Sequence, residues 1–596
     1  MHNRLFSLIL LFLCCSLNET VQAQSTIVLA GGGSEGDIGD TSAWSYRLYK
    51  AFVENGDRDG DGVVRVAILT TDPNATSFLP DYFEWIGTTL GVTVEGTNYE
   101  IRTKADANNV AKVGAVANAD AVFLKGGDQG VYYDEWNDTL LETNLRVVAD
   151  QGGAIGGTSA GAMSQAGYCF CGGRDLISSD VMANATTSYL DDAGTPGQSG
   201  IKTDFLGFVP NTVIDTHFTE RGRLGRLLGI LAKATADSGE DTLLGIGIET
   251  STGLVLQQNV VEVVGEGSVS FLQQQPNTER FRSANRPLVY THLRLDVLTE
   301  GWRFDLATRL PDLVNPPAGV VPVVYPGDGL ANSKSLTIDG GLASHNSRFQ
   351  RVATYYPNPY TLTQTTARTF VREAIGFTHT DRDDDRKGDR QEILFRALYD
   401  QPQSTGFLLF GALSGVSSSS GKLTRPTSTP DQLAASGGMA SILIDGKTIT
   451  HKGLSPIVNF YTVNSAALVN ATVHVLAEST SRQRWYNSRT HTLVGGMARP
   501  IAGKTEDLPV AFTLSPAWPN PFNPQARFSL TLAQSQWVRI AVIDLLGRTV
   551  STLHDGPLAA QTHTFTFEAS GLPSGLYLVR ATGEATTAVQ PLVLAK

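Results

Sequence analysis

Short, unbroken apolar runs recur along the first half of the chain: Thr26–Ala30, Val63–Leu69, Ala121–Leu124, Ala154–Gly157, Thr212–Asp215 and Leu243–Ile248. Runs this short, bounded by glycine and polar residues, read as buried strands. The segments between them carry helical spacing. From about Pro80 to Leu90, Phe83, Ile86 and Leu90 fall on one face, and Pro80 is tolerated in a first turn. This alternation predicts an α/β domain over residues 24–285, a parallel sheet sandwiched by helices. Glycine turns follow the strand ends at Gly31-Gly32-Gly33, Gly126-Gly127 and Gly156–Gly161. Open α/β sheets bind their ligands at that edge.

The pattern changes near residue 286. From there to 505, clusters of Pro, Ser, Thr and Gly separate β-like runs such as Ser441–Ile444 and Ala471–Leu476. This predicts a β-rich region without a catalytic constellation, with Ser417–Pro430 as a loop or linker. Over residues 510–596, the runs Val538–Ile543, Thr562–Phe567 and Leu576–Ala581, with a turn at Gly547, predict a small β-sandwich. At the other end, His2 and Arg4 precede the apolar run Leu5–Leu17 and the small-residue site Val21-Gln22-Ala23. That run is too short for a bilayer span and has the layout of a signal peptide over residues 1–23. No later run is apolar enough to span, so an exported, soluble mature chain is expected.

A chain of 596 residues has room for about three or four domains. Charged residues are 17% of the total, below the roughly 25% of average chains, which excludes a coiled coil or a charged disordered tail. The net charge of −12 repels phosphates, so no nucleic-acid partner is expected. Cys14 and Cys15 leave with the signal. Cys169 and Cys171 are too few for a zinc site, and read as two small buried residues or one local disulfide. Asp57–Gly62 opens like a calcium loop, D-x-D-x-D-G. Ile68 stands at its twelfth position, however, and Val63–Leu69 is already a strand, so it reads as an acidic turn.

The candidate chemistry gathers at the glycine turns. Gly156-Gly157-Thr158-Ser159-Ala160-Gly161 joins an apolar strand to a helix-like segment. A nucleophile on so sharp a turn needs small neighbours, which makes Ser159 the candidate. The amide of Ala160, with that of Gly127 or Asp128, would hold an oxyanion. A serine hydroxyl needs a base, and His217 closes the run Ile214-Asp215-Thr216 at another strand end. Glu249, closing Gly245–Ile248, is the candidate to orient the imidazole. Arg221, Arg223 and Arg226 follow His217. On a helix Arg223 and Arg226 share a face, suited to capturing carboxylates. No metal or organic cofactor is required.

The segments FLKGGDQ, GGTSAGAMS and IDTHFTERGRLGRLL, in that order, resemble the cyanophycinase branch of the cyanophycinase/dipeptidase E serine peptidases over about residues 26–285. The resemblance implies a fold similar to class I glutamine amidotransferase domains and a Ser-His-acid triad. It also implies a substrate of poly-aspartate carrying arginine, cut into β-Asp-Arg dipeptides. By the same resemblance, Ser159 matches the nucleophile, His217 the base, Gln129 a pocket residue, and Arg221, Arg223 and Arg226 the arginines of the motif. The family strand ends in G-I-D-E with the second acid in the triad. Here it reads Gly247-Ile248-Glu249-Thr250, so either Glu249 serves from one residue earlier or the triad is incomplete. An extra stretch, about Gly172–Ser199, suggests a lid or an altered pocket. The motifs Pro519–Pro524, Asp544–Arg548 and Ser574–Tyr577 resemble a type A sorting domain of the type IX secretion system, which implies that machinery as a partner. Two rival readings stand beside an exported cyanophycinase-like peptidase. One is an aspartyl dipeptidase-like hydrolase of other specificity; the other is a non-catalytic surface binding protein with a decayed site.

Overall fold

The computed structural model describes residues 25–324 apart from 75, 173–175 and 196, separate segments between 336 and 494, and residues 512–595 apart from 516, 533–535, 545–547, 560 and 584–586. The leader, the Ser417–Pro430 linker and the Gly547 turn lie outside the described residues. The chain forms two compact units, residues 1–498 and 499–596.

In the first unit, β1 (Ile27–Ala30), β2 (Val63–Thr70), β4 (Ala121–Leu124) and β5 (Ala154–Thr158) are predicted apolar runs, and they are joined by β3 (Thr93–Glu100), a more polar strand that the pattern did not mark. They pair in parallel in the order β1-β5-β4-β2-β3. Helices α1 (Trp44–Glu54) and α2 (Phe78–Leu90) cover one face. Leu48, Tyr49, Phe52, Phe83 and Ile86 are fully buried there with Phe123. The opposite face is covered by α3 (Gln129–Trp136) and α4 (Leu140–Asp150), through Tyr132, Trp136, Leu141, Leu145 and Val148. The predicted helix at Pro80–Leu90 is α2, with Pro80 in its first turn and Gly91 closing it at φ 73°.

The last two predicted strands leave this sheet. β6 (Thr212–Asp215) and β7 (Leu244–Ile248) pair in parallel with each other in a second sheet. The first sheet instead continues antiparallel through β8 (Thr252–Gln257), which pairs with β1, and β9 (Val260–Gly265). The result is two mixed sheets rather than one parallel sheet. Each run is apolar enough to be buried on both faces, so burial alone does not assign it to a sheet.

The second sheet crosses the residue 285/286 boundary expected from composition. β10 (Ser268–Gln273) pairs with β7 and with β11 (Val289–Thr299), and β11 pairs with the distant β12 (Ala466–Leu476). The predicted run Ser441–Ile444 forms the next strand, Ser441–Asp445, with Ser441 opposite Leu476. Helix α5 (Leu224–Ser238) packs beneath, its Leu227, Leu228 and Leu231 in one core with Leu293, Val473 and Ile442. The β-rich middle region is thus partly an extension of the sheet that carries β6.

The second unit packs two antiparallel sheets, Phe512–Leu514/Gln525–Leu532/Thr562–Glu568 and Thr549–Leu558/Gln536–Ile543/Gly575–Thr582/Thr587–Leu594. Between them lie Phe528, Leu530, Val538, Ile540, Phe567, Val579 and Leu592. The motif residues act as staples. Phe522 is buried, Asn520 bonds Pro591 O and Val593 N, Arg548 pairs with Asp544 at 2.7 Å, and the Tyr577 hydroxyl donates to Pro573 O.

Candidate active site

Both candidate reacting residues are tied to the carboxyl end of β1. The Ser159 amide donates to Ala30 O and the His217 amide to Gly31 O, each at 2.9 Å. β5 delivers the serine from one side and β6 the histidine from the other, so the site sits where the two sheets meet. Each holds a left-handed backbone, with φ 52° at Ser159 and 49° at His217. Side-chain-bearing residues avoid that region unless the fold imposes it. The three glycines make room. A Cβ on Gly31 would overlap the Glu249 carbonyl, and one on Gly32, at φ +101°, would overlap the His217 ring. Phe218, buried under β7, fills the space left by Gly247.

Ser159 Oγ lies 2.9 Å from His217 Nε2. The other ring nitrogen, Nδ1, lies 3.0 Å from Glu220 Oε2. Thr250 donates its hydroxyl to the same Glu220 oxygen and lies 3.4 Å from Nδ1. Burial holds the His217 pKa below its ordinary value. Glu220 opposes that shift, while Arg221 and Arg223 add to it. The imidazole is therefore neutral near pH 7, the form that accepts a proton.

Ser159 and His217 open onto a cavity of about 440 Å³, lined by Gly32, Gly33, Glu35, Lys125, Gly126 and Phe78 among others. Glu35 accepts a bond from Tyr49 at 3.3 Å, and burial raises its pKa with only a weak counter-effect from Lys125. The Gly126 backbone lies against the Ser159 side chain. Ala160 opens a short helix, Ala160–Met163, where an amide has no intrahelical acceptor.

Other residues singled out from sequence lie off the cavity. Glu249 is fully buried with its carboxylate against Gly267. Neighbouring residues at a strand end point oppositely, so turning Thr250 toward His217 turns Glu249 away. Asp128 caps α3 by accepting the Gly130 amide, and Gln129, 7% exposed, donates to Phe170 O at 3.0 Å. The Gly127 backbone abuts the Tyr132 hydroxyl. Arg226 is 2% exposed and pairs with Asp215 at 3.1 Å, its guanidinium over the Phe170 ring. Arg223 bonds Asp215 and Thr216 O. It precedes α5 rather than lying on it, so Arg223 and Arg226 converge on Asp215 beneath the site instead of presenting a face to a ligand. Arg221 is half-buried.

The extra stretch after Gly172 is packed into the body. Its helix, Ser178–Ala183, buries Val181 and Met182 against α5, and Ser178 bonds Gly222 O and Arg226 N. Cys169 and Cys171 form a disulfide at the foot of this stretch. The Asp57, Asp59 and Asp61 carboxylates are exposed and lie within 4.8 Å of one another. They accept amides of their own loop, from Gly60 to Val63. Sequence reasoning missed Glu35, Lys125 and Glu220. Lys125 and Glu220 stand inside the very segments that pointed to the site, but their spacing alone did not mark them.

A serine at a strained strand-to-helix turn, bonded to an imidazole that is bonded to a carboxylate, is the working arrangement of a serine hydrolase. The chain is a serine peptidase homologous to cyanophycinases. The cyanophycinase of Trichormus variabilis is 28% identical over 297 residues, covering 49% of this chain and 89% of that protein. That of Geminocystis herdmanii is 30% identical over 201 residues, covering 33% and 66%. A crystal structure of a peptidase from an acI-B1 actinobacterium aligns over 48% of this chain and 98% of its own, with 19% identity and a TM-score of 0.33. Residues 516–595 match the family described as a secretion system C-terminal sorting domain. The protein is therefore a cyanophycinase homologue addressed through type IX secretion to the cell surface or the medium.

Proposed function

We propose that this secreted peptidase cleaves cyanophycin, or closely similar aspartyl peptides, through an acyl-enzyme on Ser159. The observation that carries the reading is the 2.9 Å contact between Ser159 Oγ and His217 Nε2 at the cavity wall. Ser159 Oγ attacks the scissile carbonyl carbon as its proton passes to His217 Nε2. The carbonyl oxygen becomes an oxyanion facing the Ala160 amide, in the opening turn of the helix that follows Ser159. Collapse breaks the C–N bond, and His217 returns the proton to the leaving amine. Water, activated in turn by His217, attacks the ester and frees Ser159.

The cavity chemistry supports a substrate bearing both charges. Lys125 suits an aspartyl carboxylate. Glu35 is a half-buried carboxylate in the cavity wall, bonded by the Tyr49 hydroxyl, and a cationic side chain would compensate it. A backbone of aspartate units carrying arginine supplies both groups. The test is turnover of purified cyanophycin by the secreted protein beside Ser159→Ala. Release of β-Asp-Arg by the parent alone is expected. Binding without release, equal in Ser159→Ala, would replace the peptidase reading with that of a surface binding protein.

A further inference from the structure

We propose that Glu220, latched by Thr250, is the positioning residue that orients His217, in place of a carboxylate on the strand end. The proposal takes Ser159 and His217 as the reacting pair from the reading above, and is independent of the substrate. Glu220 lies in the turn between His217 and α5, three residues past the histidine. Its acceptor oxygen faces Nδ1 at 3.0 Å, so Nδ1 carries the hydrogen and Nε2 is left bare toward Ser159. The His217 backbone is left-handed, and the bond to Glu220 holds the ring from its Nδ1 side.

Thr250 explains why the arrangement needs no second acid. A threonine is uncharged and cannot balance an imidazolium. Its hydroxyl is a donor, and it donates to Glu220 Oε2 from the side opposite the turn. The strand end thus supplies a hydrogen bond to a carboxylate instead of the carboxylate itself. A longer acid at 250 would compete for the volume that Glu220 Oε2 occupies. The remaining charges near His217 do not substitute for Glu220. Arg221 and Arg223 oppose its protonation, Asp215 is bonded to Arg223 and Arg226, Glu249 lies against Gly267, and Glu35 and Lys125 line the cavity on the Ser159 side. As the Ser159 proton reaches Nε2, the new imidazolium stays paired with the Glu220 anion. Glu220 takes no proton, and His217 passes the proton on to the leaving group.

The test uses a fluorophosphonate, which phosphonylates the serine oxygen with loss of fluoride and needs no peptide substrate. Labelling of full-length secreted protein is followed against pH. Glu220→Gln is expected to slow labelling by ~10³-fold or more, as loss of such an acid does elsewhere, with an unchanged melting temperature. Its acid limb moves to lower pH, because the neutral amide no longer supports the imidazolium. Glu220→Asp recovers part of the rate. Thr250→Val slows labelling by roughly three- to tenfold, the worth of one hydrogen bond. Thr250→Glu in the Glu220→Gln background restores part of the loss. Glu249→Gln labels at close to the parental rate. Full-rate labelling of Glu220→Gln, or a loss in Glu249→Gln as large as that expected for Glu220→Gln, overturns the proposal. If Glu220→Gln does not fold, Thr250→Val decides, and a parental rate and acid limb there overturn it. A parent that labels but releases no dipeptide from cyanophycin overturns the substrate reading and leaves this one standing.

Discussion

Gly32 shows how little freedom the reacting residues have. Any side chain there meets the His217 imidazole, and its positive φ disfavours one in any case. Gly32→Ala is expected to displace the ring and lower turnover by roughly 10²-fold, the cost of an ångström-scale misplacement. Measuring kcat beside the melting temperature separates this from unfolding. The pH profile is set at the same scale. Burial dominates the His217 shift and favours the neutral ring, so the unfolded histidine would gain its proton at higher pH than the folded one. Activity is therefore expected to persist below pH 6.5, the ordinary imidazole value, and to fall only as Nε2 protonates. An acid limb at or above that value would contradict the burial. Glu35→Gln is expected to lower kcat/KM selectively for substrates with a cationic side chain, read as the ratio between arginyl and citrullinyl aspartyl peptides. An unchanged ratio would remove Glu35 from recognition.

Elements, more than single residues, separate what the sequence made legible from what it did not. Ser159 and His217 could be found because each follows an apolar run with a glycine turn nearby, a local signal. Glu220 escaped because its partnership depends on a turn placing an i+3 carboxylate against Nδ1, which no periodicity records. Arg223 and Arg226 looked like a ligand-facing pair because α5 was assumed to begin before them. It begins at Leu224, and the two arginines close on Asp215. Arg226→Ala is thus expected to cost stability more than affinity. Leaving a buried carboxylate short of one partner costs about 3 kcal/mol, visible as a lower denaturant midpoint with KM little changed. The sheet assignment of β6 and β7 was illegible for another reason. Their composition matches that of β1 and β5, and only pairing across the fold distinguishes them.

At the scale of the whole molecule, the cavity-lining residues among those described lie between Gly32 and His217, and the sorting unit has a core of its own. Ending the chain at 498 is expected to leave fluorophosphonate labelling of Ser159 unchanged and to abolish delivery to the medium. Cell fractionation of the two forms checks both. Loss of labelling in the shortened chain would assign the tail a part in folding the peptidase.

The pairing of β10 with β11, and of β11 with β12, sets a limit on how this enzyme can be trimmed. A fragment ending at 285, where composition suggests a boundary, would stop midway through a sheet. The free side of Ser268–Gln273 would then present its amides and carbonyls as an open template for neighbouring chains. Such a fragment should precipitate on expression even though it holds Ser159, His217 and Glu220. The smallest soluble enzyme is expected to reach past Leu476, because β12 and the strand Ser441–Asp445 belong to the sheet that carries β6 and β7.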